Sequence, residues 1–132
     1  MNPAPRLLLL THPGLGEGLL EAAETILGER PPVDLLTNRG LKGNDLDHRL
    51  AEWLEAAPGP ALILTDLGFG SCCSAARRAA EGNPDIRILA GVNLPVLLAA
   101  LRSRDHKDLD ALITHLAARG AEGVESFGGA DN

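Results

Sequence analysis

Two polar side chains each stand directly behind an apolar run, and a serine follows the second of them. His12 comes after LLLLT, Asp66 comes after ALILT, and Ser71 lies beyond a short glycine-rich stretch. An imidazole with one ring nitrogen held by a carboxylate presents its other nitrogen as a fixed nucleophile. A serine at the start of a helix lies beside unpaired backbone N–H groups, which bind anions. These residue types therefore favour a nucleophilic histidine beside a phosphate-sized pocket, and the alternative is that the three residues only cap a strand end, a turn and a helix.

A second chemistry is available because Cys72 and Cys73 follow the serine. A helix N-terminus lowers the pKa of a thiol, so Cys72, His12 and Asp66 could serve as the nucleophile, base and orienting carboxylate of a thiol hydrolase. Adjacent cysteines are a poor framework for disulfides, and no second pair is present to complete a zinc site. We therefore expect no metal, and small apolar packing is the alternative role of both cysteines.

The elements that must position these residues follow from the hydrophobic pattern. Short apolar runs alternate with longer amphipathic stretches, and Gly, Pro, Asn or Asp marks each change of period. This rhythm predicts strands at Arg6–Thr11, Val33–Leu36, Ala61–Thr65 and Ile86–Leu89, with a short candidate at Gly123–Phe127. It predicts helices at Glu17–Leu27, Leu46–Ala57, Ser71–Glu81, Leu94–Leu101 and Leu109–Arg119. Strands that alternate with helices indicate an α/β protein.

The runs RLLLL and ALILT do not alternate polar with apolar residues, which is typical of strands covered on both faces of a parallel sheet. We therefore predict a single-domain, doubly wound α/β fold over residues 1–127, with a flexible tail at 128–132. Ligands of such sheets bind beyond the carboxyl ends of the strands. The loops after the first, third and fourth strands meet there, and they bring His12, Asp66 and Ser71 to one edge.

Composition narrows the choice of partners. The chain has 12 basic and 18 acidic residues, a net charge of −6, and no run of Lys or Arg. Because phosphate backbones are held by clustered cations, a nucleic-acid partner is not expected. The apolar run near the N-terminus is too short for a signal-peptide core or a membrane span. We therefore expect a cytoplasmic protein without membrane insertion.

Three motifs, in order along the chain, resemble those of one protein family. They are LLLLTHPGLGEGL at residues 7–19, DLGFGS at 66–71 and GVNLP at 91–95. The chain is similar over nearly its whole length to the IIA proteins of the mannose class of the bacterial phosphoenolpyruvate-dependent sugar phosphotransferase system. The resemblance implies a doubly wound α/β domain, no metal or organic cofactor, and a homodimer that exchanges a C-terminal strand, here Gly123–Phe127.

The resemblance also implies a role for each site residue. His12 would accept a phosphoryl group from the carrier protein HPr and pass it to a IIB partner, while Asp66 orients the imidazole and Ser71 binds the phosphoryl oxygens. Gly70 and Cys72 would belong to the same phosphoryl-binding loop. The phosphoryl group would serve sugar transport or a regulatory signal, and the sequence does not choose between these two roles.

Departures from the family pattern fall inside these motifs. Pro13 replaces a small residue and lacks an N–H group, Cys72 replaces a proline, and Ser74 replaces an asparagine. Two alternatives stay open: the thiol hydrolase, and a metabolite-binding module in which His12 is only a ligand contact. A dinucleotide-binding module is disfavoured because the glycines after the first strand form G-x-G-x-G, which is not the fingerprint. A receiver domain is disfavoured because acidic residues do not end the first strand.

Overall fold

The structure is a computed structural model that describes residues 3–129. Its strands are β1 (Arg6–Thr11), β2 (Asp34–Thr37), β3 (Ala61–Thr65) and β4 (Ile86–Ala90). Its helices are α1 (Leu15–Leu27), α2 (Asp45–Glu55), α3 (Ser71–Ala80), α4 (Leu94–Ser103) and α5 (Leu109–Glu122). Within the described range, no helix combines the length and the apolar character needed to cross a membrane.

The sheet is parallel throughout and its strands lie in the order β2-β1-β3-β4. Successive side chains of a strand point to opposite faces, so the leucine run of β1 serves two cores at once. Leu7 and Leu9 pack in a cluster with residues of α1, α4 and α5, whereas Leu8 and Leu10 pack with residues of α2 and α3. Both faces are therefore covered, which confirms the predicted single-domain, doubly wound α/β fold.

The two central strands, β1 and β3, which lead into the loops of His12 and Asp66, are the most deeply buried strands of the sheet. Leu8, Leu9 and Leu10 are fully buried, and so are Leu62 and Leu64 in β3. Burying one leucine side chain stabilises a fold by about 1.5–3 kcal/mol. The loops that leave the carboxyl ends of these two strands therefore start from the most tightly packed part of the sheet.

The predicted bounds of β1 and β3 agree with the structure, and most other elements differ by a residue or two at an end. Helix α1 begins earlier than predicted, at Leu15, because Gly14 opens it. The φ angle of Gly14 is 94°, a value that favours glycine, and its N–H donates to Glu17 Oε1 at 3.0 Å. A glutamate that supports the first turn in this way is a common helix start.

Helix α5 runs on to Glu122, past the predicted end at Arg119. A Cβ at Gly120 would lie 2.7 Å from Val96 Cγ2, and Asn93 Nδ2 donates to the Gly120 carbonyl at 3.1 Å. The glycine is thus the residue that lets α5 lie close against α4. This packing outweighs the poor intrinsic helix propensity of glycine.

The short strand predicted at Gly123–Phe127, with an exchange between two subunits as its role, does not form within the single chain described. Among the described residues, β4 pairs only with β3, and residues 123–127 form no strand. Val124 and Phe127 are 80% and 81% exposed, so the segment packs on neither face of the sheet. A strand needs a partner along its edge, and in the described range 3–129 no strand pairs with these residues. The predicted flexible tail lies mostly outside the described residues.

Candidate functional site

Three neighbouring strands end in a threonine that is followed by a polar residue. The endings are LLLLTH, DLLTN and ALILTD, so the residues beyond β1, β2 and β3 are His12, Asn38 and Asp66. The register pairs Thr11 with Thr37, and the strand order places His12 between the other two residues. Asn38 was not selected from the sequence. The repeated ending of threonine and then a polar residue was the signal that could have found it.

His12 and Asp66 contact each other directly. Asp66 Oδ2 accepts the backbone N–H of His12 at 2.9 Å and lies 2.8 Å from His12 Nδ1. The other carboxylate oxygen, Oδ1, accepts the N–H of Leu67 at 3.0 Å. The Asp66 side chain is 8% exposed, whereas that of His12 is 48% exposed. A buried carboxylate therefore holds a solvent-facing imidazole by one of its nitrogens.

The charge of Asp66 decides which nitrogen of His12 carries the proton. Burial raises the pKa of Asp66, but the hydrogen bonds from the backbone and side chain of His12 and the charge of the ring lower it, with a further contribution from the residue's own backbone, and the net pKa lies below its ordinary value. The carboxylate is thus ionised at neutral pH and can only accept hydrogen bonds. Nδ1 of His12 must donate to it, which leaves a lone pair on Nε2 in the neutral ring.

The turn that follows His12 is held by hydrogen bonds of the Thr11 side chain. Thr11 is fully buried, and its Oγ1 donates to the His12 carbonyl at 2.8 Å and accepts the Gly16 N–H at 3.0 Å. A Cβ at Gly16 would lie 2.9 Å from Thr11 Oγ1, so any larger residue would push on this contact. Thr11 and Gly16 therefore set the turn that presents the imidazole.

The loop between β3 and α3 passes close to the imidazole at Gly70. A Cβ at this residue would lie 4.0 Å from His12 Cε1, and its φ and ψ of 95° and −179° are accessible essentially to glycine alone. Helix α3 then begins at Ser71, and an early bond of the helix runs from the Ser74 N–H to the Gly70 carbonyl at 2.9 Å. The backbone N–H groups that precede Ser74 at the start of α3 have no acceptor within the helix. Such groups favour an anion beside the ring.

Ser71 is held by the residue that the sequence analysis missed. Asn38 Nδ2 donates to Ser71 Oγ at 2.9 Å, so the loop after β2 contacts the start of α3. Ser71 itself is exposed, and Asn38 is half-buried. The structure thus places all the residues selected from the sequence at one edge, where His12 and Asp66 form a direct pair and Ser71 is tied to Asn38.

Cys72 has the wrong environment for a nucleophile. Its residue exposure is 1%, and it packs in the same apolar cluster as Leu8 and Leu10. Burial raises the pKa of the Cys72 thiol, and the nearby charge of Asp66 raises it further, against a smaller lowering by the Ser71 hydroxyl. The thiol therefore stays protonated at neutral pH, which disfavours the thiol-hydrolase alternative.

Three comparisons bear on this geometry. The family model described as the PTS system fructose IIA component matches residues 6–117. The PTS system mannose-specific EIIAB component of Escherichia coli (strain K12) is 32% identical over 123 residues, which are 89% of this chain and 38% of that protein. The PTS system sorbose-specific EIIA component of Lacticaseibacillus casei is 28% identical over 116 residues, which are 83% of this chain and 81% of that protein.

A solved structure has the same fold. The mannose/sorbose specific IIA subunit of the phosphotransferase system from Enterococcus faecalis matches with a TM-score of 0.81 and 30% sequence identity, over 98% of both chains. The present chain spans 38% of the length of the Escherichia coli relative and so corresponds to only a part of that protein.

Proposed function

The chain belongs to the mannose-type IIA family of the sugar phosphotransferase system, and from this premise we propose that it is a phosphoryl carrier whose acceptor atom is Nε2 of His12. One observation carries the proposal. The buried, ionised carboxylate of Asp66 lies 2.8 Å from His12 Nδ1, so the exposed imidazole has its free lone pair on the opposite nitrogen. A nucleophile of this kind needs no metal and no organic cofactor.

In the proposed reaction, HPr brings the phosphoryl group to the carboxyl edge of the sheet. The Nε2 lone pair attacks phosphorus, the bond between phosphorus and the donor breaks, and the electron pair of that bond stays with the donor. Asp66 keeps the Nδ1 proton in place and stabilises the positive charge that develops on the ring. Backbone N–H groups at Gly70 and Cys72, together with the Ser71 hydroxyl, bind the phosphoryl oxygens.

The second half of the proposed reaction reverses these steps toward an acceptor. A IIB partner in the cytoplasm takes the phosphoryl group from His12, or the phosphorylated protein acts as a regulatory signal. Either use needs an accessible phosphoryl group, and the 48% exposure of the His12 side chain supports this. Leu67 and Phe69, which are 42% and 73% exposed, lie in the adjoining loop, where a partner could cover them.

The proposal is tested by incubating the protein with phosphoenolpyruvate, enzyme I and HPr. Intact-mass analysis should show one added phosphoryl group, and peptide mapping should place an acid-labile label on the peptide that contains His12. Omission of HPr is the control and should leave the protein unlabelled. A protein that takes no phosphoryl group from the complete mixture is not a carrier in this system.

Cys72→Ser should keep phosphoryl acceptance close to the wild-type rate. In the proposed reaction Cys72 contributes only its backbone N–H, which serine also supplies, whereas a thiol enzyme would lose its nucleophile. The measurement is the rate of labelling by phospho-HPr, with circular dichroism as the check on folding. Cys73→Ser, the neighbouring buried thiol, is the matched control. Loss of labelling in folded Cys72→Ser alone, or an acid-stable adduct on Cys72, would favour the thiol enzyme.

We also propose that two copies of the chain pair through the segment Gly123–Phe127. Among the described residues, the outer edge of β4 pairs with no strand, and Val124 and Phe127 are 80% and 81% exposed. Open strand edges and exposed apolar side chains are both covered when another subunit adds a strand.

Deletion of the chain from Gly123 onward should therefore convert a dimer into a monomer or yield insoluble protein. Light scattering after size-exclusion chromatography measures the mass of each species. Deletion of residues 128–132 alone is the control and should leave the dimer intact. If the longer deletion keeps the mass and the stability of the full chain, the segment does not join the two copies.

A further inference from the structure

Asn38 lies directly after β2, in a loop that none of the three sequence motifs includes. It donates a hydrogen bond from Nδ2 to Ser71 Oγ at 2.9 Å. We propose that Asn38 is a positioning residue for phosphoryl transfer, because by donating to Ser71 it leaves the serine's own proton for an oxygen of the phosphoryl group. The inference rests on the proposed function and deepens it.

The argument starts from the hydrogen-bonding capacity of a hydroxyl. Serine Oγ has one proton to donate and lone pairs with which to accept, while an amide nitrogen only donates. Since Asn38 Nδ2 faces Ser71 Oγ, the oxygen acts as the acceptor in this contact. The hydroxyl proton then points away from Asn38 and is available to a second group.

One neighbour competes for that proton. The Ser71 hydroxyl lowers the pKa of the neighbouring Cys72 thiol, the effect expected of a hydroxyl that can donate toward the sulfur. Thiol sulfur is a weak acceptor, whereas hydrogen bonds to ionised oxygens are shorter and about twice as strong as neutral ones. An incoming phosphoryl oxygen therefore displaces the sulfur as the partner of the Ser71 proton.

The hydrogen bond between Asn38 and Ser71 also links the two sides of β1, the strand that ends just before His12. The strand order is β2-β1-β3, so a bond between the loop after β2 and the helix that follows β3 connects the two flanks of β1. Gly70, the residue before α3, lies close to the imidazole: a Cβ added to it would be 4.0 Å from His12 Cε1. Asn38 thus fixes the distance between the start of α3 and the imidazole before the donor arrives, as preorganised transition-state stabilisation requires.

The test is single-turnover phosphorylation of the full chain by phospho-HPr at several donor concentrations. Asn38→Ala should slow the step at saturating donor roughly 3- to 10-fold, the range expected from the loss of one hydrogen bond, with little change in the donor concentration at half-maximal rate. Asn38→Asp should be slower still, because a carboxylate takes the Ser71 proton and repels the phosphoryl group. Asn44→Ala is the matched control, since Asn44 starts α2 without a side-chain capping bond, and it should match the wild type.

A double-mutant cycle separates action through Ser71 from a general structural effect. Ser71→Ala should be slow by itself, and adding Asn38→Ala to it should slow the step no further. Additive losses would overturn the inference, as would a wild-type rate in folded Asn38→Ala. In both of these outcomes the wild type still takes the phosphoryl group, so the carrier proposal stands. A wild type that is never labelled would overturn that proposal and this inference with it.

Discussion

His12→Gln should abolish phosphoryl acceptance from phospho-HPr. Glutamine fills a similar space and can still offer an N–H group toward Asp66, so the fold and the neighbouring loop should persist. Its amide nitrogen has no available lone pair, whereas neutral His12 has one on Nε2 because its Nδ1 donates to the buried carboxylate. The loss should therefore be complete within detection, as when a catalytic nucleophile is removed.

The experiment needs a control because the chain contains three further histidines. His106 lies on the exposed connection between α4 and α5, and His106→Gln should be labelled like the wild type. Intact mass after a fixed incubation measures the fraction labelled in each protein. A phosphoryl group on folded His12→Gln, at any residue, would show that the acceptor is elsewhere.

Asp66→Asn should slow phosphoryl acceptance by roughly 10²- to 10⁴-fold, by analogy with orienting carboxylates in other enzymes. Asparagine has nearly the same shape but no charge, and its amide nitrogen can donate to Nδ1. The imidazole can then carry its proton on Nε2, which blocks the acceptor atom, and the charge on the phosphorylated ring loses its counter-ion. Rapid-quench measurement of transfer from phospho-HPr would record the rate.

Asp85→Asn is the matched control for this variant, because Asp85 is an exposed carboxylate that immediately precedes β4, at the opposite end of the sheet. It should transfer at the wild-type rate. Equal rates for folded Asp66→Asn and the wild type would remove Asp66 from the mechanism.

The same Asp66 variant gives a pH dependence of known sign. Burial raises the pKa of Asp66, yet its hydrogen bonds and the charge of His12 lower it, and the net pKa lies below the ordinary value. A carboxyl whose pKa is lowered by folding stabilises the folded state above its unfolded pKa, and this contribution disappears as the pH falls through its folded pKa. The free energy of unfolding of the wild type should therefore exceed that of Asp66→Asn by less at strongly acidic pH than at neutral pH. Urea unfolding across this range measures the difference.

Much of the architecture was predictable because it depends on short-range patterns. The unbroken apolar runs RLLLL and ALILT indicated strands buried on both faces, and β1 and β3 have the predicted bounds. The residues that follow those runs, His12 and Asp66, could be assigned to one edge because parallel strands present their carboxyl ends together. Their direct contact in the structure is consistent with that placement.

Other features depended on which parts of the chain lie side by side. The sequence shows two polar residues, Asn38 and Ser71, but not that the loop after β2 reaches the start of α3. It shows a cysteine at a helix start, where a low thiol pKa is expected, but not that Cys72 is buried near Asp66 with a raised pKa. The order of strands and the path of the loops decide both points.

The sequence by itself determined the α/β alternation, the two central strands and the identity of the candidate nucleophile and its carboxylate, because periodicity and strand endings are local properties. Only the tertiary structure decided that Asn38 holds Ser71, that α5 continues through Gly120 against α4, and that residues 123–127 form no strand in this chain. Each of these depends on the free energy of contacts between residues far apart along the chain. Such contacts override local propensity wherever close packing or an absent strand partner outweighs it.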